Sequence, residues 1–140
     1  MKGSMSRHTP AMSIQLTVAD LSTTEAFYAG ILELPIRRAL TVPGAPEHLE
    51  MKVEGCNLIF VEEATVLKVH PVLEERFAMF PKGVGATLHF RVEGLDEIYQ
   101  AIMEEEMEIL YHMEEQPYGI KDLWCFDPDG YLIVLEEPTR

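Results

Sequence analysis

Apolar residues Ile14, Leu16 and Val18 alternate with Ser13, Gln15 and Thr17, the period of a strand buried on one face only. Ser22-Thr23-Thr24-Glu25 then reads as a capping box, with the Ser22 hydroxyl taking an orphan N–H and Glu25 reaching back. Leu21, Ala26, Phe27, Ile31 and Leu32 supply the buried stripe of the helix that follows, which is expected to stop near Glu33, ahead of Pro35. Residues 35–40 form a candidate edge strand and 42–46 a loop. Strands are predicted over 48–53 and 56–62, joined by a turn at Glu54-Gly55. The order is β-α-β-β-β.

The same order returns. Leu88, Phe90 and Val92 alternate with Thr87, His89 and Arg91, and Leu95, Ile98, Tyr99 and Ile102 mark a helix. An edge strand is expected over 108–113, a loop over 114–119, and strands over 120–126 and 130–136. The turn Asp127-Pro128-Asp129-Gly130 precedes the last, because proline presets φ and glycine accepts φ > 0. Asn57-Leu58-Ile59-Phe60-Val61-Glu62-Glu63-Ala64-Thr65 and the nine residues from Tyr131 to Thr139 lie 74 apart and agree at five positions. The same offset superposes Ile14 to Val18 on Leu88 to Val92, and Leu21 on Leu95. A constant offset across separate strands indicates an internal duplication. The modules span about 12–63 and 86–138, joined by a linker over 64–85 in which Val72, Leu73, Phe77 and Phe80 have helical spacing. Residues 1–11 read as a disordered or vector-derived N-terminal stretch, and 12–140 as one domain.

Composition narrows the function. The 140 residues carry a formal charge of -13, which disfavours nucleic acid and anionic membrane surfaces and suits a cationic small ligand. No apolar run approaches the ~20 residues of a membrane span, and no signal-peptide core is present, so a cytoplasmic location is expected. Two cysteines, Cys56 and Cys125, make no disulfide framework and read as small core residues in a reducing compartment. Gly83-Val84-Gly85 fits no phosphate loop, and Ser13 has no histidine beside it to make it a nucleophile.

Val18-Ala19-Asp20-Leu21 followed by Phe27-Tyr28, and Phe126-Asp127-Pro128-Asp129-Gly130 opening the last strand, resemble the vicinal oxygen chelate superfamily, which contains glyoxalase I, bleomycin-resistance proteins and extradiol dioxygenases. The resemblance covers roughly residues 12–138. It implies an α+β fold in which two βαβββ modules form an open barrel-like cleft, with dimers common among members. Glu33 departs from the family, which usually has glycine there.

The resemblance also implies a site. It assigns Leu58, Phe60 and Glu62, with Leu132, Val134 and Glu136, to the cleft beside Gln15, His89 and Arg91. The positions where metal-dependent relatives carry ligands fall on Ser13, Phe60, Thr87 and Val134, which cannot hold a metal, as in the bleomycin-resistance-like branch. Two residues along each strand stand Gln15, Glu62, His89 and Glu136, a set of ligand types that matches animal-type glyoxalase I and suits Zn²⁺, Ni²⁺, Mn²⁺ or Fe²⁺. The expected function is binding of a small organic, cationic ligand in the cleft, with Gln15, Phe60, His89, Arg91, Trp124 and Val134 contacting it. Alternatives are a metal-dependent lyase, isomerase or dioxygenase, with Glu136 or Glu62 moving the proton, and a regulatory or sensor domain. A homodimer is expected because edges such as 35–40 need cover.

Overall fold

The computed structural model describes residues 11–39, 46–53 and 55–139. In the first half, β1 (Met12–Val18) leads into α1 (Leu21–Glu25), a π-helical continuation (Ala26–Ile31), β2 (Arg37–Ala39), β3 (His48–Val53) and β4 (Cys56–Glu62). The connection holds α2 (Glu63–Val69), a 3₁₀ turn (Pro71–Leu73) and α3 (Glu74–Phe77). The second half is β5 (Thr87–Arg91), α4 (Leu95–Glu104), β6 (Ile109–Gln116), β7 (Ile120–Phe126) and β8 (Leu132–Pro138). The sheets run β1-β4-β3-β2 and β5-β8-β7-β6, each with one parallel pair beside its helix crossover. The fold is α+β, two βαβββ modules whose sheets stay open and leave a cleft between them.

Local chemistry differs from the expected pattern in three places. The cap of α1 is Asp20, whose Oδ2 accepts the Thr23 N–H at 2.8 Å, while Glu25 pairs with Arg38 at 2.8 Å instead of reaching back to Ser22. Aspartate wins because its position directly before the first turn has extended φ and ψ. The linker is helical from Glu63, straight out of β4, and the spacing over 72–80 yields only a 3₁₀ turn and the single turn of α3. β6 runs on to Gln116, through residues expected as a loop. Residues 1–10, 40–45, Glu54 and Arg140 lie outside the described residues, and with them most of the N-terminal stretch, the loop over 42–45 and the end of the 35–40 strand.

Glu33 sits at φ 58, the left-handed region in which a Cβ is strained. Glycine, which the family resemblance leads one to expect there, would carry no such strain. Glu33→Gly is expected to stabilise the fold by roughly 0.5–1 kcal/mol, the relieved strain outweighing the added chain entropy. Thermal melts of Glu33→Gly and Glu33→Ala decide it: only glycine should raise Tm.

The helix-bearing faces of both sheets meet in one core. Tyr28 is fully buried and packs its ring 4.6 Å from Phe60 and 6.2 Å from Phe90, so residues of both modules share the same interior. The opposite face of each sheet is turned away from that core.

Candidate functional site

Strand register decides which side chains can meet. In the first sheet Gln15 lies beside Ile59 and Leu16 beside Phe60. In the second, His89 lies beside Val134 and Phe90 beside Leu135. β4 therefore corresponds to β8 at an offset of 75, while β1 corresponds to β5 at 74. A one-residue shift exchanges the faces of a strand. Glu62 is consequently the counterpart of Glu137, not of Glu136. Both do the same work: Glu62 Oε2 accepts the Leu21 N–H at 3.0 Å, and Glu137 accepts those of Gly94 and Leu95 at 2.9 and 3.0 Å. These hydrogen bonds hold the Glu137 carboxyl below its ordinary range. Leu58, Phe60 and Glu62 thus lie on the helix-bearing face, and Phe60 is fully buried, which corrects their assignment beside Gln15.

In the second module the register sets His89, Arg91, Val134 and Glu136 on one face, but Val134 is fully buried and so does not offer the ligand contact expected of it. His89, Val134 and Trp124 form one row across the sheet, and Arg91, Glu136 and Asp122 form the next, all on the face away from the helix. His89 Nδ1 lies 3.7 Å from Glu136 Oε2. Trp124 stands edge-on between His89 and Tyr111, with ring centroids 6.3 and 5.7 Å away. Asp122 was missed by the sequence reading. It is buried, accepts from Gln116 Nε2 at 3.1 Å, and places a second carboxyl beside Glu136. Its signal was present in the alternation of Asp122, Trp124 and Phe126 against Leu123 and Cys125.

A groove of about 590 Å³ opens between the modules. Ile14, Met51 and Leu58 of the first sheet and Leu34 after the first helix form its apolar wall, and Cys56 borders it. The facing wall is β5 itself, from Thr87 to Arg91. β5 is an edge strand, so its residues present alternate faces and a free backbone edge to the groove. Gln15 does not line it. It opens into a separate space with Thr17, the linker and Tyr131.

Across the core the two modules are joined by the Asp-Pro-Asp-Gly turn. Asp127 Oδ2 accepts the Tyr28 hydroxyl at 2.6 Å, and Oδ1 accepts the N–H groups of Asp129 and Tyr131, both at 2.9 Å. Asp129 Oδ1 accepts the Ala19 N–H at 2.9 Å, and the Tyr131 hydroxyl donates to Thr17 O at 2.8 Å. Burial pushes the Asp127 carboxyl up to about 6, against the hydrogen bonds from Tyr28, Tyr131 and Asp129. Burial likewise pushes the Cys125 thiol up to about 12, which keeps it an inert core residue.

The residues do not assemble into the ligand set of a divalent metal. Glu62 is committed to the start of α1, Gln15 faces another space, and only His89 and Glu136 approach one another. Among the described residues no three His, Cys, Asp or Glu side chains gather.

Paired βαβββ modules with an open cleft define the structural class of the protein. The chain belongs to the Glyoxalase/Bleomycin resistance protein/Dioxygenase superfamily, whose sequence pattern matches residues 12–135. Its fold is similar to that of hypothetical protein SA1046 from S. aureus, with TM-score 0.66 and 12% identity over 95% of both chains. It is also similar to a family enzyme from Burkholderia phytofirmans, with TM-score 0.66 and 13% identity over 90% of this chain and 96% of that one. A superfamily member from Sphaerobacter thermophilus gives TM-score 0.61 and 19% identity over 93% and 98%. At these identities the likeness is one of fold. No curated protein sequence matches the chain. No helix among the described residues is long and apolar enough to cross a membrane.

Proposed function

We propose that the protein binds a small organic ligand in the cleft between its modules. The carrying observation is the apolar groove of about 590 Å³ with β5 as one wall, a volume in the ~300–1,000 Å³ range of small-molecule sites. The ligand's apolar body packs on Ile14, Met51, Leu58 and Leu88. Its polar end passes over the edge of β5 to His89 and the neighbouring Trp124 and Glu136. At that end the carboxyl groups of Glu136 and Asp122 outnumber the Arg91 guanidinium in the same row, a balance that favours a positive charge, and the overall charge of -13 draws cations from a distance. Trp124 and Tyr111 offer ring surface to such a cation.

The chain's one tryptophan makes the reading testable. Phenethylamine should alter Trp124 fluorescence saturably, and Glu136→Gln should weaken the effect by about tenfold, the loss of one charge-assisted contact. A Trp124 signal that does not respond, or an undiminished affinity in Glu136→Gln, sinks the proposal.

The edge strand β2 also supports a homodimer, in which a second copy covers that edge. Light scattering at micromolar concentration should show twice 15.9 kDa; a species of 15.9 kDa alone removes the dimer.

A further inference from the structure

The space that Gln15 opens into has a chemistry unlike that of the cleft. It measures about 350 Å³ and lies between the outer face of β1 and the connecting segment. Gln15 and Thr17 form one wall, Arg76, Phe77 and Val84 the other, and the Tyr131 ring closes one side. The basic groups there differ in what they are free to do. Lys82 is already neutralised: its Nζ sits 2.8 Å from Glu63 Oε2 and donates to Phe77 O at 2.9 Å. Arg76 has no carboxylate within ion-pairing distance among the described residues, although Glu74 and Glu75 precede it. The Gln15 amide and Thr17 hydroxyl are likewise uncommitted among the described residues.

We infer that this space is a second small-molecule site, one that takes a monoanionic carboxylate carrying an apolar or aromatic body. An unpaired guanidinium is a planar fork matched to a carboxylate, and it is the one uncompensated charge on these walls. Gln15 and Thr17 supply neutral donors for the second carboxylate oxygen, and Phe77, Val84 and the Tyr131 ring take the apolar body. In a chain of charge -13 this is a local inversion of sign, so the two sites select ligands of opposite charge. The wall is held in place independently of any ligand: Lys82 N–H donates to Asp129 O at 3.1 Å, and Ala86 N–H to Gly83 O at 2.8 Å.

The test uses the full chain, with 3-phenylpropionate as probe and 3-phenylpropylamine as the control of equal body and opposite charge. In amide-resolved NMR titrations, 3-phenylpropionate should shift the backbone signals of Gln15, Thr17 and Val84 saturably. The amine should leave those three in place, whatever it does at Thr87 to Arg91. Arg76→Gln should weaken the carboxylate by about tenfold or more. Arg76 is exposed and unpaired, so the variant should melt with the parent. Gln15→Leu should weaken the carboxylate by a smaller factor. Equal shifts from amine and carboxylate, carboxylate shifts confined to β5, or undiminished binding in Arg76→Gln would each overturn the second site. Failure of the amine at β5 bears on the cleft alone.

Discussion

Asp127→Ala is expected to destabilise the protein by roughly 3–5 kcal/mol, the largest loss foreseen for any single side chain here. The substitution strands three donors in the interior at once: the Tyr28 hydroxyl and the N–H groups of Asp129 and Tyr131. Asp127→Asn behaves differently. The amide oxygen can still accept both N–H groups, and the amide nitrogen can donate to the Tyr28 oxygen. The two variants also separate the hydrogen bonds from the charge. Burial raises the folded-state pKa to about 6 from 3.8, so between those values the folded protein keeps a proton that the unfolded chain has released. Stability must then fall as pH rises from about 4 to about 6, by about 3 kcal/mol in total for this group. Tyr28, Tyr131 and Cys125 face the same carboxyl but all have raised pKa values far above this window. Asp129, itself raised by burial, adds a slope of the same sign. Urea titrations of the parent and Asp127→Asn across pH 4–7 provide the measurement. The difference in stability between them should grow with pH in favour of asparagine. A constant difference would remove the buried charge from the account.

Gly130→Ala should cost roughly 3 kcal/mol, from two separable causes. Gly130 has φ +92, and a Cβ there would stand 2.6 Å from Pro81 Cβ and 3.0 Å from Pro81 Cα. The loop bearing Pro81 cannot yield easily, because Gly83 in turn lies against the Tyr131 ring. Gly55→Ala supplies the comparison: φ is +79, but no heavy atom lies within 4 Å of the added carbon. It should cost about 1 kcal/mol, the strain of a left-handed alanine alone. Equal losses at the two glycines, measured by denaturant midpoint at constant slope, would show that the contact with Pro81 contributes nothing.

The architecture was legible because its signals were local. Alternation at Ile14-Leu16-Val18 and at Leu88-Phe90-Val92, the Asp-Pro-Asp-Gly turn and the repeat located eight strands and their order. Part of the candidate site was legible for the same reason: spacing alone puts His89 with Arg91, and Val134 with Glu136, on one face of their own strands. What failed was phase. Leu58-Ile59-Phe60-Val61 and Leu132-Ile133-Val134-Leu135 are apolar throughout, so neither run reveals which residues face the core. Identity at five of nine positions then favoured an offset of 74, whereas the backbone pairs at 75. The two Glu-Glu pairs look equivalent residue by residue and are not. The linker was misread for a different reason. Of its spaced apolar residues Val72 and Phe80 are largely exposed and Leu73 and Phe77 only partly buried, so the spacing records no buried helix face.

The clasp between Tyr28 and Asp127 spans 99 positions of the chain. During synthesis at ~5–20 residues per second, Tyr28 therefore precedes its partner by roughly 5–20 s. Ala19 and Thr17 wait longer still for Asp129 and Tyr131. Throughout that interval the first half is on display without the residues that complete its interior, and its Tyr28 and Phe60 rings lack Phe90 until β5 emerges. The half made first thus depends on the last stretch made, and a ribosome stalled between the two halves leaves behind an incomplete core rather than a small finished protein.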